Sequence, residues 1–164
     1  MELTFLPIGQ IDPAEYVRLH ANPLVRRHMP LSGDGFDLEA CREWIQGKES
    51  MWTEYGIGPW AILINGKFAG WGGLQPEGGE ADLGLVLHPE YWGAGKDILD
   101  ALIRWAFNEK GLESLTILLP PTRKHVRGIL RLGFVLDGNT TVDGELFIRY
   151  RLHAHRFKAD DTDR

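Results

Sequence analysis

The residues best placed to do chemistry lie in one run, Glu90-Tyr91-Trp92-Gly93-Ala94-Gly95-Lys96-Asp97. An apolar stretch at 83–87 precedes it and a periodic stretch at 98–107 follows. That order reads as strand, glycine turn, then a helix opened by Asp97. A helix start presents N–H groups without intrahelical partners, and the helix dipole adds partial positive charge there. Glycines at 93 and 95 let a ligand approach the backbone closely. The arrangement suits a phosphate or pyrophosphate, with Lys96 adding a charge. It is not a P-loop: Glu90 stands where the first glycine belongs, and Asp97 where a magnesium-binding hydroxyl belongs. It is not the dinucleotide fingerprint either, since position 98 is isoleucine. By itself, Gly-Ala-Gly also fits a tight strand-to-helix turn with no ligand.

The elements that must position this run can be read along the chain. Residues 3–8 form a first strand. Asp12 and Pro13 open a helix through Tyr16, Val17 and Leu19. Residues 30–37 have loop composition. A second helix covers about 38–47, with Ala40, Cys41, Trp44 and Ile45 as its apolar stripe. Strands at 60–64 and 67–74 flank Asn65-Gly66, a type I′ hairpin signal. A turn at 76–79 leads into a strand at 81–88. The helix from 97 to 110 buries Ile98, Leu99, Leu102, Ile103 and Ala106, and Gly111 ends it. A short strand at 115–119 follows. Thr122 caps a last helix over 123–132, with Val126, Ile129 and Leu130 inward and Gly133 behind it. Two closing strands, 134–136 and 145–152, flank a turn-rich segment at 137–144. Residues 159–164 are a polar tail, expected to be disordered. The expected fold class is mixed α/β: one domain over 1–158, a mostly antiparallel central sheet containing one β-α-β unit, and helices on both faces.

Bulk properties narrow the class. A chain of 164 residues can bury its own core. The net charge of −5 argues against a general nucleic-acid binder. No basic, apolar leader opens the chain, and no apolar stretch nears the ~20 residues needed to span a bilayer. The single cysteine, Cys41, excludes an internal disulfide and fits a reducing cytoplasm. It reads as a half-buried helix position, not a nucleophile. The six histidines, His20, His28, His88, His125, His153 and His155, lack metal-ligand spacing.

The run from Ala81 to Gly95, with its Tyr-Trp-Gly-x-Gly core, resembles the acetyl-CoA motif of the GNAT N-acetyltransferase superfamily. That pattern is Gln/Arg-x-x-Gly-x-Gly/Ala, and Glu90 takes the place of its first residue. The form found here is similar to the subgroup of ribosomal-protein N-terminal and related small-amine acetyltransferases. Asn22-Pro23-Leu24-Val25-Arg26-Arg27-His28-Met29-Pro30 resembles the subgroup's early segment. The stretch from Arg127 to Phe134 resembles the family's last helix with its Gly-Phe ending. The resemblance covers roughly residues 3 to 152. Two departures stand out. The family opens its last helix with Asn-x-x-Ser/Ala, and Thr122 and His125 occupy those positions. Many members carry a tyrosine that protonates the departing thiolate, and Ile129 stands there.

The resemblance implies acetyl transfer from acetyl-CoA, a cosubstrate, to a primary amine, by direct attack in a ternary complex. Such chemistry asks for few parts. A lysine-like amine has a pKa near ~10.4, so a base is useful at neutral pH. The carbonyl oxygen gains charge and wants an N–H donor. No metal is required. Asp82 is the first candidate for the base, on the strand leading into the turn, and Glu80 is the alternative. His125 or water can protonate the thiolate. The backbone of Leu85, Val86 and Leu87 would pair with the pantetheine arm. Gly93, Ala94, Gly95, Lys96 and Asp97 would hold the pyrophosphate. Thr122 and Arg123 lie near the same site, where Lys124, Arg127 and Arg131 complete a basic cluster. Phe36, Trp52, Tyr55, Trp60 and Trp71 fall in segments like the family's acceptor walls, and Asp34, Asp37 and Glu54 would draw in a cationic amine. The acceptor is a protein N-terminus or a small-molecule amine, and a monomer or homodimer is expected, with no nucleic-acid or membrane partner. A non-catalytic acyl-CoA-binding module on the same fold is the alternative.

Overall fold

The structure, a computed structural model, describes residues 1–29 and 35–158. Among these residues seven strands form one sheet in the order β1-β2-β3-β4-β5-β7-β6. They are β1 Leu3–Pro7, β2 Pro59–Ile64, β3 Lys67–Glu77, β4 Glu80–Leu87, β5 Ser114–Leu119, β6 Val135–Val142 and β7 Glu145–His153. Among the described residues five α-helices accompany them: α1 Pro13–Ala21, α2 Pro23–Arg26, α3 Leu38–Tyr55, α4 Gly95–Arg104 and α5 Arg127–Leu132. Every neighbouring pair is antiparallel except β4 and β5. The α/β fold with a mixed, mostly antiparallel sheet is as the sequence implies.

Local chemistry explains the elements that were read correctly. The Asp12 carboxylate accepts from the Ala14 N–H at 3.0 Å, with Pro13 in the first turn of α1. Asn65 and Gly66 both adopt positive φ, 50° and 81°, as a type I′ turn demands. Strand alternation then divides the apolar residues between two cores. Ile62, Leu83, Leu87, Leu115 and Leu152 pack with Ile98, Leu102 and Ile103 of α4 on one face. Ala61 and Trp71 pack with Tyr16, Leu19, Val25 and Cys41 of α1–α3 on the other.

Four expectations need correction. The helix expected to stop near Gly47 runs on to Tyr55, because the left-handed cap comes only at Gly56, φ 71°. The helix expected from Asp97 begins at Gly95, after a 3₁₀ stretch over Pro89–Ala94, and passes at Trp105 into a π-helical turn, Trp105–Glu109. The last helix is only Arg127–Leu132. Thr122, Arg123, Lys124 and His125 precede it and are exposed, and Leu130 is 46% exposed instead of inward. The segment 137–144 is mostly strand. β6 runs to Val142, and only Asp143 and Gly144, with φ 49° and 82°, make the turn into β7.

Candidate active site

The site grows from a parting of strands. β4 is laddered to β3 over its whole length, from Glu77↔Glu80 to Gly70↔Leu87. On its other edge it pairs with β5 at Asp82↔Thr116 alone. From residue 83 to 87 the β5-facing backbone groups of β4 therefore have no strand partner. Free backbone groups need partners. The strand ends at a fixed corner: the Trp92 indole donates to the Leu87 carbonyl at 3.0 Å, and the Tyr91 N–H to the His88 carbonyl at 2.9 Å.

The corner delivers Gly93 and Gly95 to the start of α4. No side chain caps that helix start. Gly95 has ordinary helical angles, φ −56° and ψ −40°. A Cβ on Gly93 would meet nothing within 4 Å, and one on Gly95 would only touch Leu85 Cδ2 at 3.9 Å. The fold itself does not require glycine at either position. Contrast Gly73, at φ 153°, whose Cβ would lie 2.5 Å from the Gly58 carbonyl oxygen. Two glycines that folding does not demand, at an uncapped helix start, leave room for a group outside the chain. Lys96 and Asp97 are exposed in this first turn.

Asp82 stands where β4 and β5 meet. Its carboxylate accepts from the Thr116 hydroxyl at 3.0 Å. Burial pushes the carboxyl up to about 7; the Thr116 hydrogen bond opposes the rise and Glu77 adds to it. A carboxyl poised near neutral pH can take up and release a proton there. Glu80, the other candidate base, is held differently. The Arg151 guanidinium donates to both of its oxygens, at 2.9 and 3.0 Å, and to Ser114 and Asp137. These bonds hold Glu80 below its ordinary range and keep it an anion, leaving Asp82 as the better proton acceptor of the two.

The remaining expected residues do not all converge. Thr122, Arg123, Lys124 and His125 lie in the exposed turn before α5, with Arg127 and Arg131 exposed on that helix. The aromatic residues fall into two groups. Trp52 packs on Trp60, 4.7 Å between ring centroids, and both pack on Trp105. This group packs against the core beside the end of α4. Glu54 and Tyr55 are exposed on the last turn of α3. Phe36 and Trp71 belong to the second group, with His20 and Trp44. Phe36 stacks on His20 at 4.4 Å, and Trp44 meets Trp71 edge-on at 5.2 Å. The Trp71 indole donates to His20 Nε2 at 3.0 Å. Burial, helped by Lys48, pushes His20 down to about 4, so the ring stays neutral and accepts. A cavity of about 230 Å³ beside them is lined by His20, Arg26, Phe36 and Asp37. Asp34 lies outside the described residues.

Sequence reasoning missed four participants. Thr116 left a signal, as the one polar residue in the apolar stretch 115–119. His20, Lys48 and Arg151 left none, since each is one of several polar residues interspersed among the apolar ones of its element. Among the described residues no cluster of His, Cys, Asp and Glu could hold a metal, and no helix is long and apolar enough to cross a membrane.

Comparison with known proteins agrees with this architecture. The family model described as an acetyltransferase (GNAT) domain matches residues 2–135. An acetyltransferase from Agrobacterium tumefaciens superposes with a TM-score of 0.74 at 25% identity, covering 92% of this chain and 90% of the other. The aminoglycoside acetyltransferase AAC(6′)-Ib, solved with paromomycin and acetyl-CoA, superposes at 0.76 and 15% identity, covering 99% and 98%. A protein provisionally named a ribosomal-protein-serine acetyltransferase, from Vibrio cholerae, superposes at 0.68 and 21% identity, covering 93% and 94%. With a family model spanning most of its length, this chain belongs to the GNAT acetyltransferase family.

Proposed function

We propose that the chain is an acetyl-CoA-dependent N-acetyltransferase whose catalytic unit is the single domain of residues 1–158. The carrying observation is the open edge of β4 from 83 to 87, leading into two glycines the fold does not require. On this reading the backbone at Leu85, Val86 and Leu87 pairs with the amide-bearing arm of the cosubstrate. One of these N–H groups would also stabilise the oxyanion. Gly93, Ala94, Gly95, Lys96 and Asp97 receive the pyrophosphate. Arg123 and its basic neighbours add screened attraction to the phosphates, and Thr122 borders the same site.

Asp82 is the general base. It accepts the proton of the acceptor ammonium, directly or through one water, and the neutral amine attacks the thioester carbonyl. The C–N bond forms, the C–S bond breaks, the second amine proton passes to solvent, and the thiolate takes a proton from water or from His125. No metal enters these steps. The His20, Phe36, Trp44 and Trp71 cluster borders the acceptor side. The AAC(6′)-Ib complex supports an amine acceptor by fold likeness. The single cysteine, Cys41, is buried and free, as suits a reducing cytoplasm.

The test is release of free CoA thiol from acetyl-CoA across N-terminal peptides, polyamines and aminoglycosides side by side, with CoA binding measured in parallel. Turnover with one amine class supports the proposal and names the acceptor. CoA binding with no turnover on any amine refutes catalysis and leaves the non-catalytic acyl-CoA-binding module. Absence of CoA binding refutes both.

A further inference from the structure

The acceptor face holds an amine of the chain's own. Lys48, on α3, is the one lysine of six that is not exposed. Its ammonium donates to the Gln75 side-chain oxygen and lies 5.3 and 5.7 Å from the ring centroids of Trp71 and Trp44. Cation–π contacts of this kind hold an ammonium in place. The β3–β4 register fixes where that place is. Gln75 lies opposite Asp82, Gly73 opposite Gly84, and Trp71 opposite Val86. Residues at these positions share one face of the sheet, the face opposite the Leu83, Leu85 and Leu87 side chains. The Gln75 amide nitrogen reaches over Gly84, 3.4 Å from where a Cβ would stand. Lys48 Nζ is therefore one glutamine amide away from the middle of β4, between the candidate base and the segment assigned to the pantetheine arm.

We infer that Lys48 is a site of self-acetylation, its amine taking an acetyl group from acetyl-CoA bound in the same chain. The inference rests on the proposed function, which places the thioester along this stretch of β4. In the step, a neutral Lys48 amine attacks the thioester carbonyl carbon. An amide C–N bond forms, the C–S bond breaks, and the electron pair leaves with the CoA thiolate. The proton lost from nitrogen goes to Asp82 or solvent, and the thiolate is protonated on release. Nothing is oxidised or reduced. Burial pushes the Lys48 ammonium down to about 8, so about a tenth of the chains carry the neutral amine at pH 7, against well under ~0.1% for an ordinary lysine. Acetylation would remove the cation from beside Trp44 and Trp71 and leave a neutral, bulkier group across the acceptor face. A chain so marked would bind a cationic acceptor differently from an unmarked one.

The experiment is intact-mass and peptide-map analysis of the purified chain incubated with acetyl-CoA and no acceptor amine, at several protein concentrations. The expected result is one acetyl group per chain, on Lys48, with a rate constant independent of protein concentration. Lys48→Arg, which keeps the charge, is expected to abolish the label. Label spread evenly over the exposed Lys67, Lys110 and Lys124 would mean uncatalysed chemical acetylation and would overturn the inference. No label on Lys48 while an added amine is acetylated overturns the inference and leaves the proposed function standing. No label with no CoA bound overturns both.

Discussion

Replacing Asp82 by asparagine separates the cost of this carboxyl to the fold from its service to catalysis. In the folded chain burial holds the group at about 7, while in the unfolded chain it returns to an ordinary 3.8. Below about pH 4 both states are protonated, so the site contributes no difference. Between pH 4 and 7 the unfolded chain has released a proton that the folded chain keeps, so stability falls as pH rises. Above 7 both are ionised and the loss is complete. At about 1.4 kcal/mol per pK unit, the ionised carboxyl costs the fold about 4 kcal/mol at most by pH 8. Asp82→Asn carries no such titration. Its stability relative to the parent should therefore climb across pH 4–7 and level off, whatever fixed offset the new amide introduces beside Thr116. Urea denaturation of both proteins at pH 4, 5.5, 7 and 8 reads the climb directly. The same variant should lose ~10²-fold or more in kcat at neutral pH with little change in CoA affinity, and the loss should shrink at high pH as the amine deprotonates unaided. A stability gap that stays flat with pH would refute the buried, proton-holding carboxyl. Near-normal turnover at every pH would move the base role to Glu80 or to no side chain.

Gly93→Val and Gly95→Val should abolish CoA binding in calorimetry while leaving the circular dichroism spectrum and melting temperature near the parent's, since each Cβ has room. Normal CoA affinity in these variants would place the pyrophosphate elsewhere. Thermal stabilisation by CoA should shrink as salt rises from low to high ionic strength, because the exposed Lys96, Arg123, Lys124, Arg127 and Arg131 give screened attraction; equal shifts would reduce that cluster to a solvated face. Arg151→Met should cost roughly 1–3 kcal/mol in chemical denaturation, because Glu80, Ser114 and Asp137 lose their shared donor. An unchanged midpoint would show that the network contributes nothing net.

The strand, turn and helix around residues 81–104 were legible because each carries a strong local signal: period-2 apolar residues, paired glycines, then a stripe at helical spacing. The Asn65-Gly66 hairpin was legible for the same reason. The errors fall where local and tertiary signals disagree. Gly47 looked like a helix stop, yet it sits exposed in the middle of α3, and a single interior glycine costs only about 1 kcal/mol against the burial of the rest. Asn139-Thr140-Thr141 read as turn, but pairing with Ile148, Phe147 and Leu146 makes them strand. Arg123 to His125 read as helix, but a six-residue α5 begins only at Arg127. At the site, the glycines and Asp82 could be picked out from sequence. Thr116 beside Asp82, Arg151 on Glu80 and Lys48 over Gln75 could not, since each contact joins residues 27 or more positions apart.

The single-point meeting of β4 and β5 makes the molecule a pair of tweezers. One arm is the four-stranded plate β1–β4 and the other the three-stranded plate β5–β7. The pivot lies at one end, where Asp82 meets Thr116 and where Arg151 of β7 reaches Glu80 of β4. The tips are the ends of β4 and β5 at Leu87 and Leu119. Spreading the tips breaks no ladder bond between the plates, whereas spreading the pivot breaks several charged ones. Width at the tips is thus set by the apolar core that Leu87, Leu119 and α4 share and not by strand pairing, and the proton on Asp82 sits on the pivot itself, where it bears on how firmly the two arms are pinned.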